Sequence, residues 1–253
     1  MKSFIFTLDY ELYGNGSGNV FKHIIEPTNI LLEIAGKYHV KFTFFFEVVE
    51  YWKLKEEWSK GNRMGYDQNP IEAMEVQLKK AYQSGHDIQL HLHPQWVDAQ
   101  WVNGRWIVNL DCWRLGGYHG DGEYSLEGLL EKGKRTIEEI IRPIDKDYCC
   151  TTLRAGGYNI QPSEEIVKAM RKVGLKVDTS IYPGGKETGS LSNYDYRSIP
   201  IDASQWEVGT KLEGQGNSGI YEFPIVAFPI LRILKYLNME RIKSLWQNKQ
   251  SAK

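Results

Sequence analysis

The sequence predicts an α/β fold of about seven parallel strands that alternate with helices. Short runs of alternating or continuous apolar residues recur along the chain, and stretches with the 3.6-residue helical period separate them. Repetition of this kind produces parallel strands covered by helices, as an open doubly wound sheet or as a closed barrel. In both arrangements the functional site lies at the carboxyl ends of the strands.

Each predicted element has a local signal. The first strand, 4–12, alternates apolar and polar residues and ends at a glycine-rich loop. A helix begins at Glu26, and the aromatic run 42–48 predicts the second strand. Residues 49–69 are only weakly periodic and are predicted as an irregular excursion. The later predicted strands are 86–93, 148–154, 175–181, 196–201 and 220–226, and the later helices are about 70–83, 125–141 and 163–172.

The whole chain, 1–253, is predicted to form one domain, because single α/β domains commonly reach this length. A tryptophan-rich insertion, 94–123, follows the third strand. Leucines and isoleucines at helical spacing predict a C-terminal helix over 228–247. That helix closes the fold or, in the alternative interpretation, lies on a membrane surface near a lipid-linked substrate.

Composition limits the partners and the compartment. The formal net charge is −1, so no basic field is available for nucleic acid. The chain has only three cysteines, an odd number that predicts no disulfide framework. The acids Asp9 and Glu11 interrupt the N-terminal apolar run, and no apolar window is long enough for a membrane span. We therefore expect a cytoplasmic protein.

Two carboxylates end the first strand on the same side. Because side chains alternate along a strand, Asp9 and Glu11 share a face with Thr7. Neighbouring carboxylates on a buried strand repel each other unless a cation or a shared proton offsets their charge. The alternative is a strand end at which both acids meet solvent.

Histidines on the third strand provide the second motif. Alternation places His91 and His93 on one face, where both imidazoles can reach one metal ion. Together with a carboxylate from the first strand they predict a metal site with open positions, as metal-assisted hydrolysis requires. The other histidines are His23, His39 and His86, with predicted structural roles, and His119, which lies in a flexible loop that is exposed or folds over a site.

The third motif surrounds Arg154, which ends a predicted strand and precedes two glycines. Small residues there let backbone N–H groups approach a ligand, and the guanidinium could pair with one of the acids. The alternative is a surface arginine before a glycine turn.

In order, these segments resemble the polysaccharide deacetylase family, the proteins with a NodB-homology domain. The similar segments are 7–11, 41–45, 85–91 and 154–162, with later likenesses at 177–180 and 221–224. The resemblance spans most of the chain and implies an incomplete (β/α) barrel of about seven strands.

The resemblance implies roles for individual residues. Asp9 would act as the base, Arg154 would orient it, and the Tyr158 backbone N–H would contribute to an oxyanion hole. Glu11, His91 and His93 would hold one divalent metal ion, with zinc as the first candidate. Here the two histidines are two residues apart, whereas the family usually spaces them by four. No histidine follows His119 to serve as the family's late general acid, so Asp9 or His119 would protonate the leaving amine.

The expected function is removal of N-acetyl groups from an amino sugar in a polysaccharide or its cytoplasmic precursor. A nucleotide- or lipid-linked sugar in surface-polysaccharide assembly suits a cytoplasmic enzyme. The alternatives are a catalytically degenerate saccharide-binding barrel and another metal-dependent hydrolase, such as a phosphoesterase. Aromatic side chains in the insertion could stack on sugar rings or form a small core of their own; they are Trp96, Trp101, Trp106, Trp113, Tyr118 and Tyr124.

Overall fold

The computed structural model describes residues 4–226 as a mixed α/β fold around a seven-stranded sheet. The strands of this sheet are β1 (Phe6–Tyr10), β2 (Phe42–Glu47), β3 (Asp87–Leu92), β6 (Thr152–Ala155), β7 (Val177–Asp178), β10 (Trp206–Glu207) and β11 (Tyr221–Glu222). Two small hairpins pair β4 (Gln100–Val102) with β5 (Arg105–Ile107), and β8 (Lys186–Thr188) with β9 (Asn193–Asp195). The helices are α1 (Glu26–Tyr38), α2 (Val48–Ser59), α3 (Pro70–Gln83), α4 (Leu126–Ile141) and α5 (Glu164–Val173).

The strand order is β1-β2-β3-β6-β7-β11-β10. All neighbouring pairs are parallel except β10 and β11, which are antiparallel. The predicted α/β class and the mostly parallel sheet are confirmed. Across residues 4–226 the sheet is open, with β1 and β10 at its edges, and the antiparallel strand β10 stands in place of the predicted parallel strand 196–201.

Helix ends follow the capping signals in the sequence. The Asn69 side chain accepts hydrogen bonds from the backbone N–H groups of the first turn of α3, and Pro70 supplies a φ suited to that turn. Ser125 caps α4 through the Gly128 N–H, and α5 ends at Gly174 in the left-handed conformation. The predicted positions of these three helices are therefore confirmed to within a few residues.

Two predictions about elements are wrong. Residues 49–69 are not irregular throughout, because α2 occupies the first part of this segment. Residues 196–201 do not form a strand; the chain instead returns to the sheet at β10. Two-residue strands such as β10 are too short to show periodicity.

The described chain contains no helix that is both long and apolar enough to cross a bilayer. The predicted C-terminal helix, 228–247, lies outside the described residues.

Candidate metal centre

The carboxyl ends of β1, β2, β3 and β6 meet at one edge of the sheet, because these strands are neighbours and parallel. In register, Glu47 lies opposite His91, and His91 lies opposite Arg154. Glu11 follows the end of β1 and His93 follows the end of β3. The three predicted motifs are therefore brought to one place.

Four side chains at this edge form a compact cluster: Glu11, Glu47, His91 and His93. Each contributes one potential ligand atom, and these atoms lie within 4.8 Å of one another. Both histidines and Glu47 are buried, and Glu11 is partly buried. The predicted metal ligands thus converge, and Glu47 joins them.

The atoms at the centre of the cluster have the chemistry of metal ligands. Nε2 of His93 lies 2.9 Å from Oε2 of Glu11, and Nε2 of His91 lies 3.5 Å from the same oxygen. Although they are close, Glu11 Oε2 and His91 Nε2 make no hydrogen bond within residues 4–226. Potential ligand atoms that face one another without hydrogen-bond geometry can bind a common cation. Two imidazole nitrogens and a carboxylate oxygen are ligands that Zn²⁺ and related ions take in proteins.

A hydrogen bond at Nδ1 of His91 orients the ring so that Nε2 can bind a metal ion. Nδ1 of His91 lies 2.9 Å from the backbone carbonyl of Arg154, which can only accept a hydrogen bond. The proton is therefore on Nδ1, and the lone pair of Nε2 faces the cluster. This is the usual arrangement for a metal-binding histidine.

His93 has a comparable partner in Gln95. The Gln95 amide lies 2.8 Å from Nδ1 of His93, while its buried Oε1 has no partner in the described part of the chain. Nε2 of Gln95 also lies 3.4 Å from the Gly14 carbonyl, so this amide links the His93 ring to the loop after β1. The other ring nitrogen of His93, Nε2, faces Glu11.

Without a cation, protons compensate for the carboxylates of the cluster. Burial lowers the pKa of His91, but the Asp9 and Glu11 carboxylates outweigh burial and raise it to about 9. Burial raises the pKa of Glu11, but His93 and His91 together outweigh burial and hold that pKa well below its usual range. A bound cation would take the place of the proton on His91.

Metal-free protein is expected to lose stability as the pH rises. In the unfolded chain His91 titrates near 6.5, whereas in the folded protein it titrates near 9. The folded state binds the extra proton between these values, so the free energy of unfolding falls across this interval. Metal-loaded protein carries no proton there and should lack this loss. Chemical denaturation of both forms from about pH 6 to about pH 9 measures the difference; a flat or rising profile for the metal-free form would contradict this description.

Arg154 holds Asp9 beside the cluster. Its Nη1 donates to Oδ1 of Asp9 at 2.8 Å, its Nη2 donates to the Thr7 hydroxyl at 2.9 Å, and its Nε donates to the Thr179 carbonyl at 3.1 Å. The guanidinium also lies over the Phe45 ring, 4.0 Å from its centroid. Arg154 is buried, whereas the Asp9 side chain is 32% exposed. The arrangement fixes Asp9 Oδ1 while the carboxylate still reaches solvent.

The turn after β6 lies against the histidines. A Cβ at Gly156 would come within 2.2 Å of His93 ring atoms, so only glycine allows this approach. Tyr158 has a left-handed backbone with φ of 61°, which is unfavourable for a residue other than glycine. Its carbonyl accepts a hydrogen bond from the Tyr196 hydroxyl, and its side chain is 39% exposed. Strain of this kind is concentrated at functional sites.

The insertion contributes one tryptophan to the site. Trp96 and Trp101 each pack edge to face against Trp106, and the three rings form a small core. Trp113 instead contacts the His93 ring, with centroids 5.8 Å apart, and its six-membered ring lies close to Gly14. The core interpretation therefore describes three of the four tryptophans, and Trp113 forms part of the wall of the cluster.

The remaining histidines lie apart from the cluster. His86 stacks on Phe42 and accepts a hydrogen bond from the Phe42 N–H, and His23 accepts one from the Asn19 N–H. His119 lines a separate surface cavity of about 860 Å³, whose walls include none of the four cluster residues.

Glu47 and Glu50 were missed by the sequence analysis. Glu47 ends the apolar run of β2, and a carboxylate at the end of a buried parallel strand is the signal that could have identified it. Glu50 is fully buried on the first turn of α2, in the segment predicted to be irregular.

Comparison of the chain with family models, with curated proteins and with solved structures gave no match in any of the three.

Proposed function

We propose that the protein is a metal-dependent hydrolase that removes N-acetyl groups from an amino sugar. The observation that carries the proposal is the convergence of Glu11, His91 and His93 beside an aspartate held by a buried arginine. The resemblance to polysaccharide deacetylases supports the same assignment, and it also supports an incomplete barrel as the architecture.

Glu11, His91 and His93 would hold the cation through carboxylate oxygen and the two Nε2 atoms. When bound, a divalent cation, zinc first among the candidates, supplies a Lewis acid that polarises the acyl carbonyl. The fixed Nδ1 hydrogen bond of His91 keeps its lone pair directed to the centre of the cluster. The burial of both histidines keeps competing water away from these ligands.

Asp9 would act as the general base. Arg154 engages Oδ1, which leaves the other carboxylate oxygen to accept a proton from the attacking water. Addition of that water to the carbonyl carbon is followed by cleavage of the C–N bond, which yields acetate and the amine. The Tyr158 backbone N–H would donate to the oxyanion.

Asp9 would also return the proton to the leaving amine. His119 belongs to a separate cavity, and no later histidine exists in the sequence. The Asp9 carboxylate would accept a proton from the attacking water and then donate it to the nitrogen of the leaving amine. The reaction therefore balances without a second acid. Arg154 would act as a positioning residue in both steps.

The substrate class remains a sugar with an N-acetyl group, linked to a nucleotide or a lipid and used in surface-polysaccharide assembly in the cytoplasm. Trp113 beside His93 and the half-exposed Tyr158 are aromatic surfaces on which a sugar ring could stack.

Acetate release from a panel of N-acetylated sugars tests the proposal. The panel contains monosaccharides, sugar nucleotides and oligosaccharides, each assayed with metal-loaded protein and with chelator-treated protein. We expect acetate from at least one substrate with metal and none with chelator. Metal-loaded protein that releases no acetate from any substrate would overturn the proposal.

A phosphoesterase is the second candidate, because Glu47 adds a further buried carboxylate to the site. Additional carboxylates are what a two-metal phosphoesterase would need. Phosphate release from ester substrates, measured beside acetate release, distinguishes the two activities.

A further inference from the structure

We propose that Glu47 is a fourth protein ligand of the cation, so that the centre consists of two histidines and two carboxylates. The inference rests on the metal centre of the proposed function and does not depend on the reaction. It assigns a ligand that the resemblance does not supply. Three features of the structure support it, and they concern the position of Glu47, its hydrogen bonds and the charge of the cluster.

The first feature is position. Glu47 is the last residue of β2, in register with His91 on the neighbouring strand. Its side chain has no solvent exposure, and one of its oxygens belongs to the group of four atoms within 4.8 Å. Glu47 thus belongs to the same compact group of atoms as the three predicted ligands.

The second feature is the difference between its two oxygens. Oε1 accepts hydrogen bonds from the Val49 N–H at 2.9 Å and, more weakly, from the Glu50 N–H at 3.4 Å, and so caps α2. Oε2 is buried and has no partner among residues 4–226. A buried carboxylate oxygen without a partner costs free energy. A cation bound by Oε2 would remove this cost, while Oε1 continued to cap α2.

The third feature is charge. Both imidazoles are neutral as ligands, so Glu11 alone would leave a divalent cation with an excess charge of +1 in a largely buried site. Uncompensated buried charge is costly. Glu47 brings the sum of the cation and its ligands to zero.

Glu50 offers a matched control because it is a buried neighbour that lies outside the group of four. Its Oε2 accepts a hydrogen bond from the Leu12 N–H at 2.8 Å, next to Glu11. Its Oε1 is buried and unpartnered in the described structure, as is Oε2 of Glu47. If metal affinity depended only on buried negative charge, replacing either glutamate with glutamine would lower the affinity by a similar factor.

The test is titration of metal-stripped, full-length protein with Co²⁺. Calorimetry measures the affinity during the titration, and visible absorption reports the ligands of the bound ion. Glu47→Gln retains an oxygen for the Val49 N–H and is expected to lower Co²⁺ affinity about 10-fold or more and to change the absorption spectrum. Glu47→Asp keeps the charge and a favourable helix cap, but its shorter side chain should also weaken binding. Glu50→Gln should retain the affinity and the spectrum of the wild type.

Two results would overturn the inference and leave the metal centre itself intact. One is a Glu47→Gln variant with wild-type affinity and spectrum while Glu11→Gln loses binding. The other is a Glu50→Gln variant that weakens binding as much as Glu47→Gln does, since that would indicate charge and not ligation. Wild-type protein that binds no Co²⁺ would overturn the inference and the metal centre together. Co²⁺ binding that depends on Glu47, in a protein that releases no acetate, would overturn only the deacetylase function. Circular dichroism verifies that each variant is folded.

Discussion

Replacing Asp9 with asparagine is expected to lower kcat for acetate release by about 10²–10⁴-fold, the usual contribution of a general base. The asparagine amide oxygen can still accept the Arg154 hydrogen bond, so the local structure should persist. Asp9 is not one of the four clustered side chains, so each chain should still bind one metal ion. Initial rates and metal content measured on the same preparation test both expectations.

Glu11→Gln is the matched control, because it should lose both metal and activity. Asp9→Asn should lose activity but keep the metal, whereas Glu11→Gln should lose both, so the two variants distinguish the general base from a metal ligand. Asp9→Asn protein that retains clearly more than about a hundredth of the wild-type kcat would contradict the assignment, since a general base contributes at least about 10²-fold.

Replacing Gly156 with alanine is expected to displace His93 and to weaken metal binding about 10-fold or more. The added Cβ would lie 2.2 Å from Nδ1 and Cε1 of His93 and 2.4 Å from its Nε2. The His93 ring is buried and cannot withdraw into solvent. Overpacking of this kind also lowers the free energy of unfolding by about 1–3 kcal/mol. Metal titration and chemical denaturation measure the two effects.

Gly36→Ala is the control for this substitution. A Cβ at Gly36 meets no atom within 4 Å, and the residue lies inside α1. Alanine there should stabilise the protein by about 0.5–1 kcal/mol, because alanine has the higher helix propensity, and metal affinity should not change. Wild-type metal affinity in Gly156→Ala protein would show that the position of His93 does not depend on this glycine.

Alternation along two strands was enough to predict most of the site. It placed Asp9 and Glu11 on one face of β1 and His91 and His93 on one face of β3, and the parallel topology brought those faces together. Whether Glu11, His91 and His93 bind a metal and whether Arg154 and Tyr158 act in catalysis stay predictions.

The parts of the fold that could not be predicted have physical reasons. Helix α2 buries Glu50 together with Val48, Val49 and Tyr51, so a charged residue interrupts the apolar face by which a helix is recognised. Glu47 was missed because the predicted strand, 42–48, extends past it into the valine that begins α2, and because glutamate is not a favoured helix cap. The antiparallel pairing of β10 depends on contacts distant in sequence, which local patterns do not report.

The most direct test of the metal-dependent hydrolase is add-back of metal to stripped protein, with acetate release and bound metal measured in parallel. We expect activity to be absent without metal, to rise in proportion to bound metal, and to reach its plateau at one ion held by Glu11, His91 and His93. Acetate release from fully stripped protein at the rate of loaded protein would show that the reaction does not depend on metal.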